Sequence, residues 1–337
     1  MPHALKTSMA RDAFQREINY LRISLTDRCN LRCAYCMPLD EAHCAPEPDL
    51  LTAPEIELVV RAAVGVGFRK VRLTGGEPTL RPDLVEIVRR IALVPGVRDT
   101  ALTTNGILLP RLAPALADAG LRRVNVHLDT LDDARLRGLM RWGRLEAIWA
   151  GIEAAERAGL LPIKLNAVVT RGFNDEDVIG LARLTLERPW HVRFIELMPF
   201  GAGECGRLAR DRFVSTVETR ALITAALGPL DRQPQDDPSD EARVFRLAGS
   251  LGTVGFISPV SEPYCGTCNR MRLTADGKFH LCLLNDDELD VRQAIRNGGG
   301  LRAVERILLA AVAHKPWGHH LPNGPSTVLR EMHHLGG

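Results

Sequence analysis

Several absences narrow the reading of this chain. No apolar run approaches the roughly 18 residues needed to cross a bilayer, and the first twenty residues hold no apolar block of the kind that forms a signal peptide. The chain is therefore expected to be cytoplasmic, without a membrane partner. Neither sign of charge is in excess: 43 basic and 41 acidic side chains leave a net +2, too little to draw a nucleic acid or an anionic surface. There is also no Walker A motif, no internal repeat and no low-complexity tract, so phosphate binding would fall to side chains. What remains is a globular composition of 337 residues, 45% hydrophobic and 25% charged, enough for one large domain or two smaller ones.

Residues 1–14 show little periodicity and read as a mobile N-terminal segment. From residue 15 to 227 short β-rich runs alternate with amphipathic stretches. Strands are predicted at 21–25, 70–73, 99–103, 123–128, 163–169 and 191–197, and helices at 54–66, 82–93, 110–119, 145–158 and 175–186. Six βα units imply an α/β fold with a parallel sheet, doubly wound or curled toward a barrel. Residues 228–243, rich in turn formers and acids, predict a linker or long loop. The region 244–337 then carries strand-like pieces at 252–258 and 271–274, a helix near 301–314 and a polar tail. A GxGxxG at 201–206 precedes RLARDRF, which is no apolar helix, and predicts a flexible loop.

Eight cysteines in a chain of this kind are better read as metal or redox ligands than as disulfides. Cys29, Cys33 and Cys36 form one group, Cys265, Cys268 and Cys282 another, and Cys44 and Cys205 stand apart. The first group directly follows the first strand, at the sheet edge where ligands collect. Three thiolates on a four-iron cube leave one iron open for an exogenous molecule. The alternative is a structural zinc site with Cys44 as fourth ligand. The second group lies on a loop and a hairpin turning at Asp276-Gly277. There His280 and Cys282 share a strand face, so a Cys₃His zinc site stands as an alternative.

Cys29-x3-Cys33-x2-Cys36, with Tyr35 before the third cysteine, resembles the signature of radical S-adenosylmethionine (SAM) enzymes. Thr74-Gly75-Gly76-Glu77-Pro78, at the end of the second strand, is similar to that family's second motif, which contacts the methionine group of SAM; alone, its glycines would mark only a tight turn. The CGxC at Cys265, followed by Arg270-Met271-Arg272 and Cys282, resembles the GTP 3′,8-cyclase family of molybdenum-cofactor biosynthesis, over about residues 18–337.

The resemblance implies a partial (β/α)₆ barrel of TIM type, with a C-terminal cluster-binding region closing its open end. It implies two [4Fe–4S] clusters facing one cavity: Cys29, Cys33 and Cys36 hold the one that binds SAM, and Cys265, Cys268 and Cys282 hold the one whose open iron meets guanine. For SAM it implies Tyr35, Gly76, His127 and Met198; for GTP, Arg22, Arg72, Thr103, Lys164, Arg270, Met271 and Arg272. Arg270 and Arg272 are also its catalytic candidates, with binding and catalysis not separated. On the residues alone, Arg270 and Arg272 share a strand face able to grip a polyphosphate while Met271 turns away. Lys164, one of five lysines beside 38 arginines, interrupts an apolar strand and should point into the sheet's open end. Met198 could equally be core packing. His127 stands in VNVHLD where the family usually has Ser; imidazole can donate or accept as a hydroxyl does, but it is bulkier and can carry charge.

The implied reaction cleaves SAM to a 5′-deoxyadenosyl radical that takes hydrogen from C3′ of GTP, after which C3′ attacks guanine C8. A flavodoxin- or ferredoxin-like electron donor, the next enzyme of the pathway and a monomer or homodimer complete the expectation, with no nucleic acid. The family's tail reaches the active site with two glycines, matched here by Gly336-Gly337; alone they would read as a frayed terminus. Two rivals stand: a radical SAM peptide-modifying enzyme, which usually has more C-terminal cysteines, and a non-enzymatic, zinc-stabilised α/β binding protein.

Overall fold

Alternation within the strands sets the architecture. A computed structural model describes residues 9–39, 44–200, 203–235, 237–319 and 330–336. In it β1 (Tyr20–Ser24), α1 (Ala53–Gly65), β2 (Lys70–Thr74), α2 (Leu84–Ala92), β3 (Asp99–Thr104) and α3 (Leu109–Asp118) lead into β4 (Arg123–His127). Two helices, α4 (Asp133–Met140) and α5 (Leu145–Arg157), then precede β5 (Lys164–Val169), α6 (Val178–Glu187) and β6 (His191–Glu196). After α7 (Glu204–Asp211) and α8 (Thr216–Leu227) come β7 (Leu230–Arg232), β8 (Arg243–Leu247), β9 (Thr253–Ile257), β10 (Arg270–Leu273), β11 (Lys278–His280) and β12 (Glu288–Asp290). The helices α9 (Arg292–Arg296), α10 (Gly300–Ala313) and α11 (Met332–Leu335) complete the order.

The helices form for local reasons. Thr52 caps α1 in a reciprocal capping box with Glu55, and Pro54 occupies its first turn. Along α2, Leu84, Ile87, Val88 and Ile91 are buried at helical spacing while arginines occupy the last turn. The helix α7 replaces the flexible loop expected after the GxGxxG. Its buried stripe of Cys205, Gly206 and Ala209 is too short and too weakly apolar to stand out in sequence. Residues 201–202 of that motif lie outside the described residues.

The sheet order is β12-β11-β10-β1-β2-β3-β4-β5-β6-β9-β8-β7. Every pair from β10 through β1–β6 to β9 is parallel. Strands laid in chain order without reversal exclude the doubly wound alternative, and right-handed crossovers put their helices on one face. The fold is thus a partial (β/α)₆ barrel. The C-terminal region adds a parallel strand at each edge, β10 beside β1 and β9 beside β6, each continued by antiparallel partners. The 228–243 stretch supplies β7, paired with β8. Among the described residues no helix is long and apolar enough to cross a membrane.

Because side chains alternate, one face of the sheet is apolar and the other is not. Leu21, Ile23, Leu73, Val124, Val126, Phe194, Val254 and Met271 are fully or nearly fully buried in the core that includes the helices. The opposite face carries Arg22, Arg72, Asn125, Lys164, Arg193, Arg270 and Arg272. Register aligns Arg22 with Arg72 and Arg272, and Asn125 with Lys164. The barrel's interior is therefore a charged chamber, and its hydrophobic core lies outside the strands.

Close packing of α5 depends on Gly151, where a Cβ would overlap the carbonyl oxygen of Gly106. Gly151→Ala should cost about 1–3 kcal/mol in denaturant unfolding of the metal-free chain. Gly138→Ala on α4, where nothing lies within 4 Å of the added carbon, should cost nothing. Equal midpoints for the two variants would contradict this packing.

Candidate functional site

At the C-terminal edge of the strands, the first cysteine loop is fastened to the glycine turn after β2. Gly76 N–H donates to Thr26 O at 2.7 Å and Glu77 N–H to Arg28 O at 2.8 Å. A Cβ at Gly76 would overlap the Arg28 carbonyl, so the residue is small because two backbones touch there. The buried Glu77 carboxylate accepts from Thr79 N–H and Oγ1, from Thr104 Oγ1 at 2.7 Å and from Asn105 N–H at 2.7 Å. It clamps the ends of β2 and β3 together, and its own burial raises its pKa.

Tyr35 and His127 meet over Asp129. Tyr35 O–H donates to Asp129 Oδ2 at 2.7 Å and lies 2.6 Å from His127 Nε2, which is itself 2.9 Å from Oδ2; Val168 N–H donates to Oδ1 at 2.7 Å. Burial lowers the His127 pKa, but the charge and hydrogen bond of Asp129 together with the charge of Glu77 outweigh it, and the net shift is upward. The imidazole is pinned at the rim of the chamber beside the first cysteine loop. Met198 is half-buried against Phe200, Leu284 and Leu335. Thr103, also half-buried, accepts from Asn125 Nδ2 at 3.3 Å.

The tail closes over this edge. His333 Nδ1 lies 3.4 Å from Cys36 O, and Gly336, at φ 70°, packs so tightly on Thr74 and Gly75 that a side chain would collide with them. Gly337 lies outside the described residues.

The two thiol triads have different electrostatics. Burial pushes Cys29 up to about 11. Burial raises Cys33 and Cys36 well above the ordinary thiol value, and neighbouring thiolate charges add to it: Cys36 and Cys29 act on Cys33, and Cys29 and Cys205 on Cys36. Such mutual repulsion means the three thiols converge, and metal uptake there must release protons. At the second triad, burial would raise Cys268, but the charges of Arg270 and Lys315 prevail and bring it down to about 6. Lys315 is buried, its Nζ donating to Leu281 O at 2.6 Å. Arg16 fixes the loop, donating to Cys265 O and Trp317 O at 2.6 Å each while paired to Asp12. Among the described residues no three His, Cys, Asp or Glu side chains are arranged to hold a single metal ion. A four-iron cube held by three thiolates takes one on each of three irons and leaves the fourth open.

The first triad follows β1, and the second precedes β10 and follows its antiparallel partner β11. The triads thus lie at opposite ends of neighbouring strands, separated by the length of β1, five residues or about 16 Å. Between them is the charged chamber. A cavity in it is lined by Tyr20, Lys70, Arg72, Arg123, Lys164, His191 and Arg193 among others. Arg22 and Arg72 lie over the Tyr20 ring, and Arg270 over Tyr264 at 4.9 Å. Several buried guanidinium N–H groups have no hydrogen-bond partner within the protein: Nε of Arg22, Arg72 and Arg272, and an Nη of Arg193. Buried cationic donors left unsatisfied are costly, and a polyanion would satisfy them.

Of the residues proposed from sequence, Arg22, Arg72, Lys164, Arg270 and Arg272 share this chamber face, whereas the Met271 side chain is in the outer core. Residues missed from sequence are Arg193, Lys70, Arg123, His191, Asp129 and Glu241. Arg193 was legible, since it interrupts HVRFIE as Lys164 interrupts its own strand. The others stand at strand starts or in loops, where a charge is ordinarily solvated.

Comparison with known proteins agrees with this layout. The Radical SAM superfamily model matches residues 23–185, and the Molybdenum Cofactor Synthesis C model matches residues 190–321. The chain is 49% identical over 327 residues to a GTP 3′,8-cyclase of Pelotomaculum thermopropionicum and 46% identical to one of Moorella thermoacetica. Each match covers 97% of this chain and 100% of the relative. Among solved structures, Streptococcus suis SuiB bound to precursor peptide SuiA has a TM-score of 0.58 at 17% identity, covering 90% of this chain and 67% of that one. At that identity the likeness is one of fold alone.

Asp129→Asn keeps the size of the group under Tyr35 and His127 while removing its charge. The His127 pKa should then fall, because burial is opposed only by the charge of Glu77 once the Asp129 charge is gone. A pH titration of the imidazole by NMR reads the shift; an unchanged value would mean that Asp129 does not govern the ring.

Proposed function

The chain belongs to the GTP 3′,8-cyclase family of radical SAM enzymes, and on that premise we propose how its residues divide the work. It converts GTP to (8S)-3′,8-cyclo-7,8-dihydroguanosine 5′-triphosphate, the first step of molybdenum cofactor biosynthesis, using SAM and two [4Fe–4S] clusters. When bound, the first cluster supplies the electron that cleaves SAM and the second an open iron for the guanine base.

The observation that carries the assignment of residues is the row of unsatisfied guanidinium donors between the two triads. Cys29, Cys33 and Cys36 hold the first cluster and Cys265, Cys268 and Cys282 the second. Tyr35, Gly76, His127 and Met198 surround SAM, with Asp129 orienting the first and third of these. Arg22, Arg72, Lys164, Arg270 and Arg272, joined by Arg193, bind the triphosphate; Thr103 lies within the chamber, and Met271 contributes backbone only. The chamber's tasks are to orient the ribose and to exclude water while the cofactors supply the hard chemistry. The division of the chain at 227 and 244 separates the barrel's βα units from the segment bearing the second triad. A small reducing electron carrier would dock near the first cluster, a later enzyme of the pathway would take the product, and the setting would be cytoplasmic, the enzyme acting as a monomer or homodimer.

Two outcomes test this reading. Cys282→Ala should still yield 5′-deoxyadenosine from SAM but no cyclised nucleotide in anaerobic turnover with GTP and reductant; product at the wild-type level would refute the role of the second triad. The second concerns Lys164, which burial and then the charges of Arg193, Arg123 and Arg72 bring down to about 7. An added triphosphate restores its charge, so GTP binding at pH 8 should take up nearly one proton, and affinity should fall as pH rises above 7. Calorimetry in buffers of different ionisation enthalpy measures the uptake, and Lys164→Met should abolish it.

A further inference from the structure

The guanidinium groups of Arg22, Arg72 and Arg270 converge on one carboxylate. Glu241 Oε1 accepts from Arg22 at 2.7 Å and from Arg72 at 3.3 Å, and Oε2 accepts from Arg270 at 2.9 Å. Only 9% of its side chain is exposed. The loop that carries it, between β7 and β8, also pairs Asp237 with Lys70 and sets the Ser239 carbonyl 3.1 Å from Arg270. It crosses the seam of the barrel, since β9 and β10 end the parallel array and do not pair with each other. Asp240 and Glu241 line two cavities at once. One is the charged chamber with Lys164 and Arg193; the other contains Tyr264 and Thr267, next to Cys265 and Cys268. The carboxylates are the partition between them.

An acidic group at the centre of a phosphate-binding array opposes what the array is for. In the free chain, however, it has a use. Several like charges in a low-dielectric chamber repel one another, and an internal anion holds them in register. Burial alone would raise the Glu241 pKa, yet the charges of Arg22, Arg72 and Arg270 keep it well below the usual carboxylate range. It is therefore an anion throughout the neutral range, bound by the donors that a nucleotide would need.

We infer that Glu241 is an internal surrogate for a substrate phosphate: it occupies Arg22, Arg72 and Arg270 in the free enzyme and is displaced from them by the triphosphate of GTP. This rests on the placement of the triphosphate given above. No bond is made or broken; one carboxylate exchanges for phosphate oxygens on shared donors.

The test is anaerobic calorimetry on the cluster-loaded enzyme with three probes: GTP, inorganic tripolyphosphate and guanosine. Glu241→Gln keeps the size of the side chain and removes its charge. It should tighten GTP and tripolyphosphate by about tenfold or more, because a charged competitor is gone, and leave guanosine unchanged. Weaker binding of both phosphate ligands, with iron–sulfur absorbance retained, would overturn the inference and make Glu241 a scaffold needed in the bound state. Should Glu241→Gln fail to load clusters, Glu241→Asp decides, since it keeps the charge but withdraws it by one methylene: tighter phosphate binding supports displacement, equal or weaker binding overturns it. Arg72→Met separates this inference from its premise. If that variant binds GTP as the wild type does, the triphosphate has been misplaced; if it binds GTP more weakly while Glu241→Gln brings no gain, only the surrogate role falls.

Discussion

Confining arginines inside a barrel is the constraint to which the rest of the structure answers. Two like charges 4 Å apart repel by about 4 kcal/mol at an effective dielectric constant of 20, and here Arg22, Arg72, Arg193, Arg270 and Arg272 share one interior face, all buried. Aromatic rings beneath Arg22, Arg72 and Arg270 and the Glu241 carboxylate offset part of this repulsion. The remainder appears as guanidinium N–H groups without partners and as a lysine whose pKa has fallen to about 7. A chamber so arranged presents buried donors that an anion would satisfy.

Arg270 couples this array to the second cysteine triad. It pairs with Glu241 on one side, and its charge lowers Cys268 on the other. Cys268, near 6, offers a thiolate under ordinary conditions, whereas burial raises Cys265 in the same triad and the thiols of the first triad, which would have to give up protons to bind metal. The second triad and the buried arginine array therefore share a cation, while the first triad sits beside the Tyr35–His127–Asp129 contact. The backbone keeps them apart: β1 and β10 run side by side, with one triad at each end of the pair.

Much of this was legible where a signal is short in sequence. The strands of the βα units and their helices, α4 and α8 excepted, follow from apolar periodicity, and both cysteine motifs and the Gly75-Gly76 turn are local patterns whose chemistry is carried by spacing. Lys164 could be singled out because a charge in an apolar strand must face something polar. Arg193 obeys the same rule. Glu241 could not be found this way. It lies in an acidic, turn-rich stretch that reads as solvated, and its partners Arg22 and Arg72 are 219 and 169 residues away. Likewise α7 buries too few apolar side chains to declare itself, and the Asp129 carboxylate is distinguished only by what folds onto it.

The amino-acid sequence by itself determined the βα order, the two sets of thiols and the alternation that sends apolar side chains outward and cations inward, because each depends on residues within a few positions of one another. Tertiary structure alone decided that β10 lies beside β1, that the triads occupy opposite ends of one chamber, and that an acidic loop crosses the seam to satisfy its arginines. Those outcomes depend on strand pairing and charge neutralisation between segments far apart in the chain, and spacing along the chain carries no record of either.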